Sequence, residues 1–193
     1  MLTRTGSPSV CTRSWPQLQA ASLVAIPLDP SRGTAAYRVR MASDTIRPAR
    51  PDELEALAIL WERSVRATHD FLTADDIEAL RPDVHQALAG EGLELWVLAD
   101  AGDAPVGFMG LAGDDIAALF LDPARRGRGG GRRQVEHAQA LRGGDLTVDV
   151  NEQNAAAVRF YEAVGFVVAG RSPVDDAGRP FPLLHMRRAS KGD

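Results

Sequence analysis

The chain has 193 residues, 45% of them hydrophobic, and a formal net charge of −4. That length suits one sizeable core and is short for two, and the apolar runs fall short of the roughly 20 residues that span a bilayer. The acidic balance speaks against a non-specific nucleic-acid binder. A single cysteine, Cys11, excludes an intramolecular disulfide framework and a thiolate zinc cluster, which fits a reducing cytoplasmic setting.

Residues 1–40 hold five arginines against one acid, Asp29, with scattered Ser and Thr and no helical or strand period. Arg-rich, acid-poor leaders of this kind resemble transit peptides, yet Met41 followed by Ala42-Ser43-Asp44-Thr45 reads as a natural domain start. We read residues 1–40 as a disordered extension or a mis-assigned start, and residues 41–193 as one domain. Thr45-Ile46-Arg47 is a short first strand closed by Pro48 and Pro51. Asp52 is the expected cap of a helix from Leu54 to about Arg66, whose Leu57, Leu60, Trp61 and Val65 recur at helical spacing. After a break at 67–72, Thr73 or Asp75 starts a second helix towards Leu88, ended by Gly90 and Gly92.

Strands are predicted at 93–98 and 106–112, joined by a hairpin turn carrying Gly102 and Asp103, and a third runs from about Ile116 to Leu121 after Gly113-Asp114-Asp115. These make an antiparallel meander. A helix is expected from Gln134 to Leu141, a strand with alternating character at 146–150, a helix over 155–164 stopped by Gly165, and two last strands at 166–170 and 182–187.

The stretch between the third meander strand and its helix reads Asp122-Pro123-Ala124-Arg125-Arg126-Gly127-Arg128-Gly129-Gly130-Gly131-Arg132. A strand-to-helix turn leaves several N–H groups without helical partners at the positive end of the helix dipole, a ready site for phosphate. Gly127, Gly129, Gly130 and Gly131 permit positive φ and close approach of a pyrophosphate, while Arg126, Arg128 and Arg132 add charge. A rival reading takes the same residues as an RGG-like tract that touches RNA. The single, unrepeated occurrence and the acidic net charge count against it.

Two motifs carry a resemblance. Arg126-Gly127-Arg128-Gly129-Gly130-Gly131 matches Arg/Gln-x-x-Gly-x-Gly/Ala, and downstream Asn154 and Tyr161 stand seven positions apart before a closing Gly165-Phe166. Together with the order of elements, residues 45–188 resemble the GCN5-related N-acetyltransferase (GNAT) family. Ser64 to Leu72, Val150 to Asn154 and the 174–184 tail are also similar to its bacterial subgroup called YjaB. The resemblance implies an α/β fold with a mixed, mostly antiparallel sheet flanked by helices. It also implies direct acetyl transfer from acetyl-CoA to a primary amine, of a protein lysine or a small molecule, by a monomer or homodimer. It brings no metal, nucleic acid or membrane into the reaction. A non-catalytic CoA-binding module of the same fold is the alternative.

The resemblance also implies roles. A bulged strand would free the main chain of Leu119, Phe120 and Leu121 to pair with the pantetheine amides; residues 126–132 would hold the pyrophosphate, and Asn154 would contact the cofactor arm. Tyr161 matches the family's general acid, its phenol protonated at neutral pH with an ordinary pKa near 10. Asp149 lies where some relatives carry a proposed base. A carboxylate that ordinarily ionises near 4 is a poor base unless burial raises it, and a solvated strand face explains an aspartate equally well. His69 and Asp70 fall in the helical break that lines the acceptor pocket in this fold. His85, His137 and His185 show no clustering with acids or cysteine in the sequence, so no metal site is argued. Two positions depart from the family pattern: Gln134 stands where Leu is usual, and Gly130 where an apolar residue is common. The first leads us to expect a helix shifted to bury Val135, Ala138 and Leu141, or a looser loop; the second costs backbone entropy if helical.

Overall fold

The first helix forms because Leu57, Leu60, Trp61, Ser64 and Val65 fall on one stripe, and all five are buried. In the computed structural model, which describes residues 44–69, 72–175 and 178–190, this helix is α1 (Leu54–Arg66). The expectations for residues 1–40 and for Asp70 lie outside the described residues. Asp52 does not cap α1. A short 3-10 turn over Pro51–Glu53 precedes it, and the Glu53 carboxylate takes the Arg50 N–H at 2.8 Å. Glu53 is fixed in turn by a bidentate pair with Arg47 at 2.6 and 2.8 Å, whose guanidinium holds that carboxyl below the usual carboxylate range and so keeps it ionised. The second helix, α2 (Ala74–Ala89), opens on Thr73 in a reciprocal capping box with Asp76.

Seven strands form one sheet in the order β1-β2-β3-β4-β5-β7-β6: β1 (Thr45–Pro48), β2 (Glu94–Ala99), β3 (Pro105–Ala112), β4 (Asp115–Leu121), β5 (Leu146–Asn151), β6 (Val167–Ser172) and β7 (Leu183–Arg188). The meander β2-β3-β4 is antiparallel as expected, and only β4 and β5 run parallel. The crossover between them is α3 (Gly130–Arg142), while α4 (Ala155–Ala163) links β5 to β6. Among the described residues, no helix is long and apolar enough to cross a membrane.

The two faces of the sheet have separate cores. Phe108, Ala118 and Phe120 pack with Trp61, Leu57 and Ile77 under α1 and α2. Met109, Leu119, Val148 and Val150 pack with Val135, Ala138, Phe160 and Tyr161 under α3 and α4. Because side chains alternate along a strand, Asp149 and Asn151 of β5 turn to the α1–α2 face. Trp61 is fully buried in the first core, and Trp96 is half-buried against the second.

Candidate active site

The site begins with a wedge in the sheet. β4 carries one more residue than β3 at Ala117, since Gly110 pairs with Ala118 and Leu111 with Ile116. This bulge turns β4 away from β5. The two strands pair only at Asp115 and Thr147, and the stretch Leu119–Leu121 is in register with β3 alone. The expected bulge is therefore present, and the main-chain edge of residues 119–121 borders a gap that widens towards the glycine loop.

At the open end of the gap, Gly127 and Gly129 have φ of +76° and +78°, the left-handed region that side chains disfavour. α3 begins at Gly130, four residues before the predicted Gln134; glycine's low helix propensity hides that start from a sequence reading. Its first intrahelical bond runs from Arg133 N–H to Gly129 O at 3.0 Å, so the N–H groups of Gly130, Gly131 and Arg132 precede the ladder and aim out of the first turn. Gly130 answers to packing: a Cβ there would lie 2.8 Å from Leu98 Cδ2 and 3.1 Å from Leu121 Cδ2. This geometry fits a pyrophosphate laid on main-chain donors.

Two of the three arginines, Arg126 and Arg132, are placed differently from the sequence expectation. Arg126 points back to α1, its guanidinium donating to Ser64 O at 3.3 Å, and Arg132 donates to Ala163 O at the end of α4 at 3.0 Å. Both clamp helix C-termini, where carbonyl dipoles attract cations. Burial lowers the basicity of Arg126. Arg128 is half-exposed on the loop itself.

Gln134 sits in the second turn of α3 with 0% exposure, and neither its Oε1 nor its Nε2 has a hydrogen-bond partner. Val135 and Ala138 are buried as expected, but Leu141 is 40% exposed, so α3 has not rotated to bury it. An unmade buried amide costs about 1–3 kcal/mol. Gln134→Leu should therefore raise stability by about that amount, read as a higher urea midpoint at unchanged m. An unchanged or lower midpoint would show that the amide is satisfied in solution.

Tyr161 is fully buried on α4, its ring edge-on to Phe160 and Phe166 at 5.1 and 5.2 Å, on the α3–α4 face of β5. Asn154 caps α4, Oδ1 accepting from Ala157 N–H at 3.0 Å, and is itself buried. Its Nδ2 lies 3.4 Å from Nε2 of His69, which is only 3% exposed. Thr68 Oγ1 donates to Ser64 O at 2.8 Å and leaves a lone pair facing His69 Nδ1 at 2.6 Å. The consistent tautomer carries the proton on Nδ1 and accepts from Asn154 at Nε2. His69 is thus a buttress behind Asn154, tying the α1–α2 break to the start of α4, and not a group offered directly to an acceptor. Beside this break, Leu72, Asp76, Leu80, Asp83, Arg179 and Phe181 line a cavity of about 180 Å³.

Asp149 is half-buried on the opposite face of β5 from Tyr161, and its Oδ1 is 2.7 Å from His185 Nδ1. The other ring nitrogen of His185, Nε2, lies 2.7 Å from Ser172 Oγ. The sequence leaves His185 unclustered because 36 residues separate it from Asp149; the β5–β7 register sets the two directly opposite each other. Strand alternation places Asp149 and His185 each on one face, but only the pairing of non-consecutive strands makes those faces the same. His85 likewise has an acid neighbour, Glu55, at 3.6 Å.

Comparison with known proteins agrees with this geometry. The family profile described as Acetyltransferase (GNAT) domain matches residues 91–168. The chain is 50% identical over 142 residues to peptidyl-lysine N-acetyltransferase YjaB of Escherichia coli K12, covering 74% of this chain and 95% of that protein. The solution structure of apo-form YjaB from Escherichia coli superposes with a TM-score of 0.69 at 49% identity, covering 78% of this chain and 99% of that one. A more distant fold neighbour is the PaiA N-acetyltransferase from Thermoplasma acidophilum, solved in complex with coenzyme A, with TM-score 0.62, 17% identity and coverage of 76% and 99%. The chain belongs to the GCN5-related N-acetyltransferase family and is an N-acetyltransferase.

Proposed function

We propose that the chain transfers acetyl from acetyl-CoA directly to the side-chain amine of a protein lysine. The observation that carries this reading is the wedge between β4 and β5, open at the end where the glycine-cornered start of α3 presents its N–H groups. Acetyl-CoA supplies an activated acetyl thioester. The edge of Leu119, Phe120 and Leu121 would take the pantetheine amides as an added strand. Main-chain donors across Gly127, Arg128, Gly129, Gly130, Gly131 and Arg132 would hold the pyrophosphate, and Asn154 would border the arm. Arg126 contributes by fixing α1 against the loop. Such a site acts largely by holding two reactants in line.

Tyr161 is assigned the proton for the departing thiolate, and Asp149 the acceptor side of the wedge. Protein lysine as acceptor rests on the 50% identity to a peptidyl-lysine N-acetyltransferase. The test is calorimetric titration of acetyl-CoA into the full chain, followed by mass spectrometry of a lysine-containing peptide, with spermidine and free lysine in parallel. Micromolar binding and acetylation at the peptide lysine are expected. Absence of binding overturns the cofactor assignment, and acetylation confined to the small amines overturns the protein acceptor.

A further inference from the structure

One carboxylate borders the gap between β4 and β5. Asp149 stands two residues past Thr147, the last β5 residue in register with β4, on the face that Ala118 and Phe120 present to α1 and α2. Its side chain is half-buried, and its two oxygens are used differently. Oδ1 accepts from His185 Nδ1 at 2.7 Å, while Oδ2 takes no hydrogen bond from the described residues. Because the sheet runs β4-β5-β7-β6, His185 approaches from the side away from the gap. It stands behind the carboxylate and out of reach of an amine at the thioester, and it leaves Oδ2 for a donor from outside.

The ring behind Asp149 is itself held. Ser172 Oγ lies 2.7 Å from Nε2, and the ring lies over Gly170, where an added Cβ would stand 3.4 Å from Cδ2. A carboxylate on Nδ1 keeps a proton there, so Nε2 accepts from the Ser172 hydroxyl when the ring is neutral and donates to Oγ when it is charged. Both states keep the bond to Oδ1. What differs is the charge offered at Oδ2: beside a neutral ring the pair carries −1, and beside an imidazolium it carries none. The other charges on these strands are engaged. On the same face, Asp115 accepts from Thr147 Oγ1 at 2.9 Å and Arg187 donates to Asp145 at 3.0 Å, while Arg171 turns to the other face and bonds Glu152 at 2.6 Å.

We infer that Asp149 is the anchor for the acceptor's ammonium, and that His185 is the residue that positions this carboxylate and sets its charge. The inference rests on the proposed transfer to lysine. A lysine ammonium has three N–H donors and no acceptor, and Oδ2 is a carboxylate oxygen without a donor at the border of the gap. Anchoring precedes loss of the amine's proton, so its effect belongs to the KM of the acceptor rather than to kcat. The sign of the pH dependence follows. Lysine stays protonated from pH 5 to 8, where an imidazole ordinarily titrates, so only the anchor changes as pH falls, and KM rises.

The experiment is kcat and KM for a lysine peptide at saturating acetyl-CoA, from about pH 5.5 to about pH 8, for wild type, Asp149→Asn, His185→Gln and His185→Leu, with acetyl-CoA titrated into each. Wild-type KM should rise by about 10-fold towards the acid end. Asp149→Asn is isosteric and should raise KM by about 10-fold at the alkaline end and flatten its pH dependence. His185→Gln keeps an N–H donor but cannot titrate, so KM should rise by about threefold at the alkaline end and lose its acid climb. His185→Leu, with no donor, should raise KM further at every pH, again without the climb. Acetyl-CoA affinity should stay within about twofold throughout, since the cofactor meets neither side chain. A His185→Gln enzyme whose KM climbs as wild type does overturns the inference, because a merely structural histidine would leave that slope in place. Wild-type KM at the alkaline end in Asp149→Asn overturns it equally. Acetyl-CoA binding without acetylation of the peptide overturns the proposed transfer to lysine with it, whereas acetylation with a wild-type KM indifferent to pH overturns this assignment alone.

Discussion

Replacing Tyr161 with phenylalanine lowers kcat by about 100-fold and leaves acetyl-CoA binding intact. Positioned general acids contribute about 10²–10⁴-fold. A thiolate is already a tolerable leaving group, which places this effect at the lower end. The substitution is clean because the ring is held by Phe160 and Phe166 through edge contacts that phenylalanine keeps. Stability should therefore change by no more than about 1 kcal/mol. Steady-state kinetics with a saturating lysine peptide reads kcat, calorimetry reads the cofactor, and a melt reads the fold. An unchanged kcat removes Tyr161 from the reaction. A matched fall in affinity and stability would instead make it a core residue, the reading that its helical periodicity beside Phe160 and Val164 supports by itself.

The legibility of this fold in its sequence follows the range of each interaction. α1 and α4 are visible because an apolar stripe and a closing glycine are local signals, and the loop at 126–132 because its glycines break every pattern around them. The start of α3 is hidden by those same glycines, and the need for one of them at Gly130 is non-local, since Leu98 and Leu121 stand where its Cβ would go. Asp52 is the reasonable cap by local rules, but Glu53 reaches back to Arg50 while holding Arg47 on β1, a contact across the β1–α1 corner that no local rule contains. The arginines around the cradle are legible by charge alone. Their directions are set by carbonyls at the ends of α1 and α4, which only the folded chain brings near. His69 meets Asn154 across 85 residues, and His185 meets Asp149 through the insertion of β7 between β5 and β6. Residue types point to the chemistry, and non-local register decides which side chains share it.

Gly129→Glu abolishes measurable acetyl-CoA binding, a loss of more than about 100-fold, and two separable costs produce it. The first is conformational. Gly129 has φ of +78°, and a residue with a Cβ in that region costs about 1–2 kcal/mol. The second is electrostatic: a carboxylate at the start of α3 would lie where the cofactor's pyrophosphate is proposed to rest, and it would satisfy the helix dipole in the ligand's place. Gly143 provides the control, since it closes the same helix at φ of +68° with nothing within 4 Å of an added Cβ. Gly143→Ala should carry the first cost alone, lowering stability by about 1 kcal/mol while leaving acetyl-CoA affinity within about twofold. Gly129→Ala should fall between the two, since it brings the strain and the bulk without the charge. If Gly129→Glu and Gly143→Ala weaken acetyl-CoA equally, the loop acts through overall stability and the pyrophosphate is held elsewhere. If only the Gly129 substitutions weaken it, and glutamate far more than alanine, the anion rests on the main chain at the head of α3.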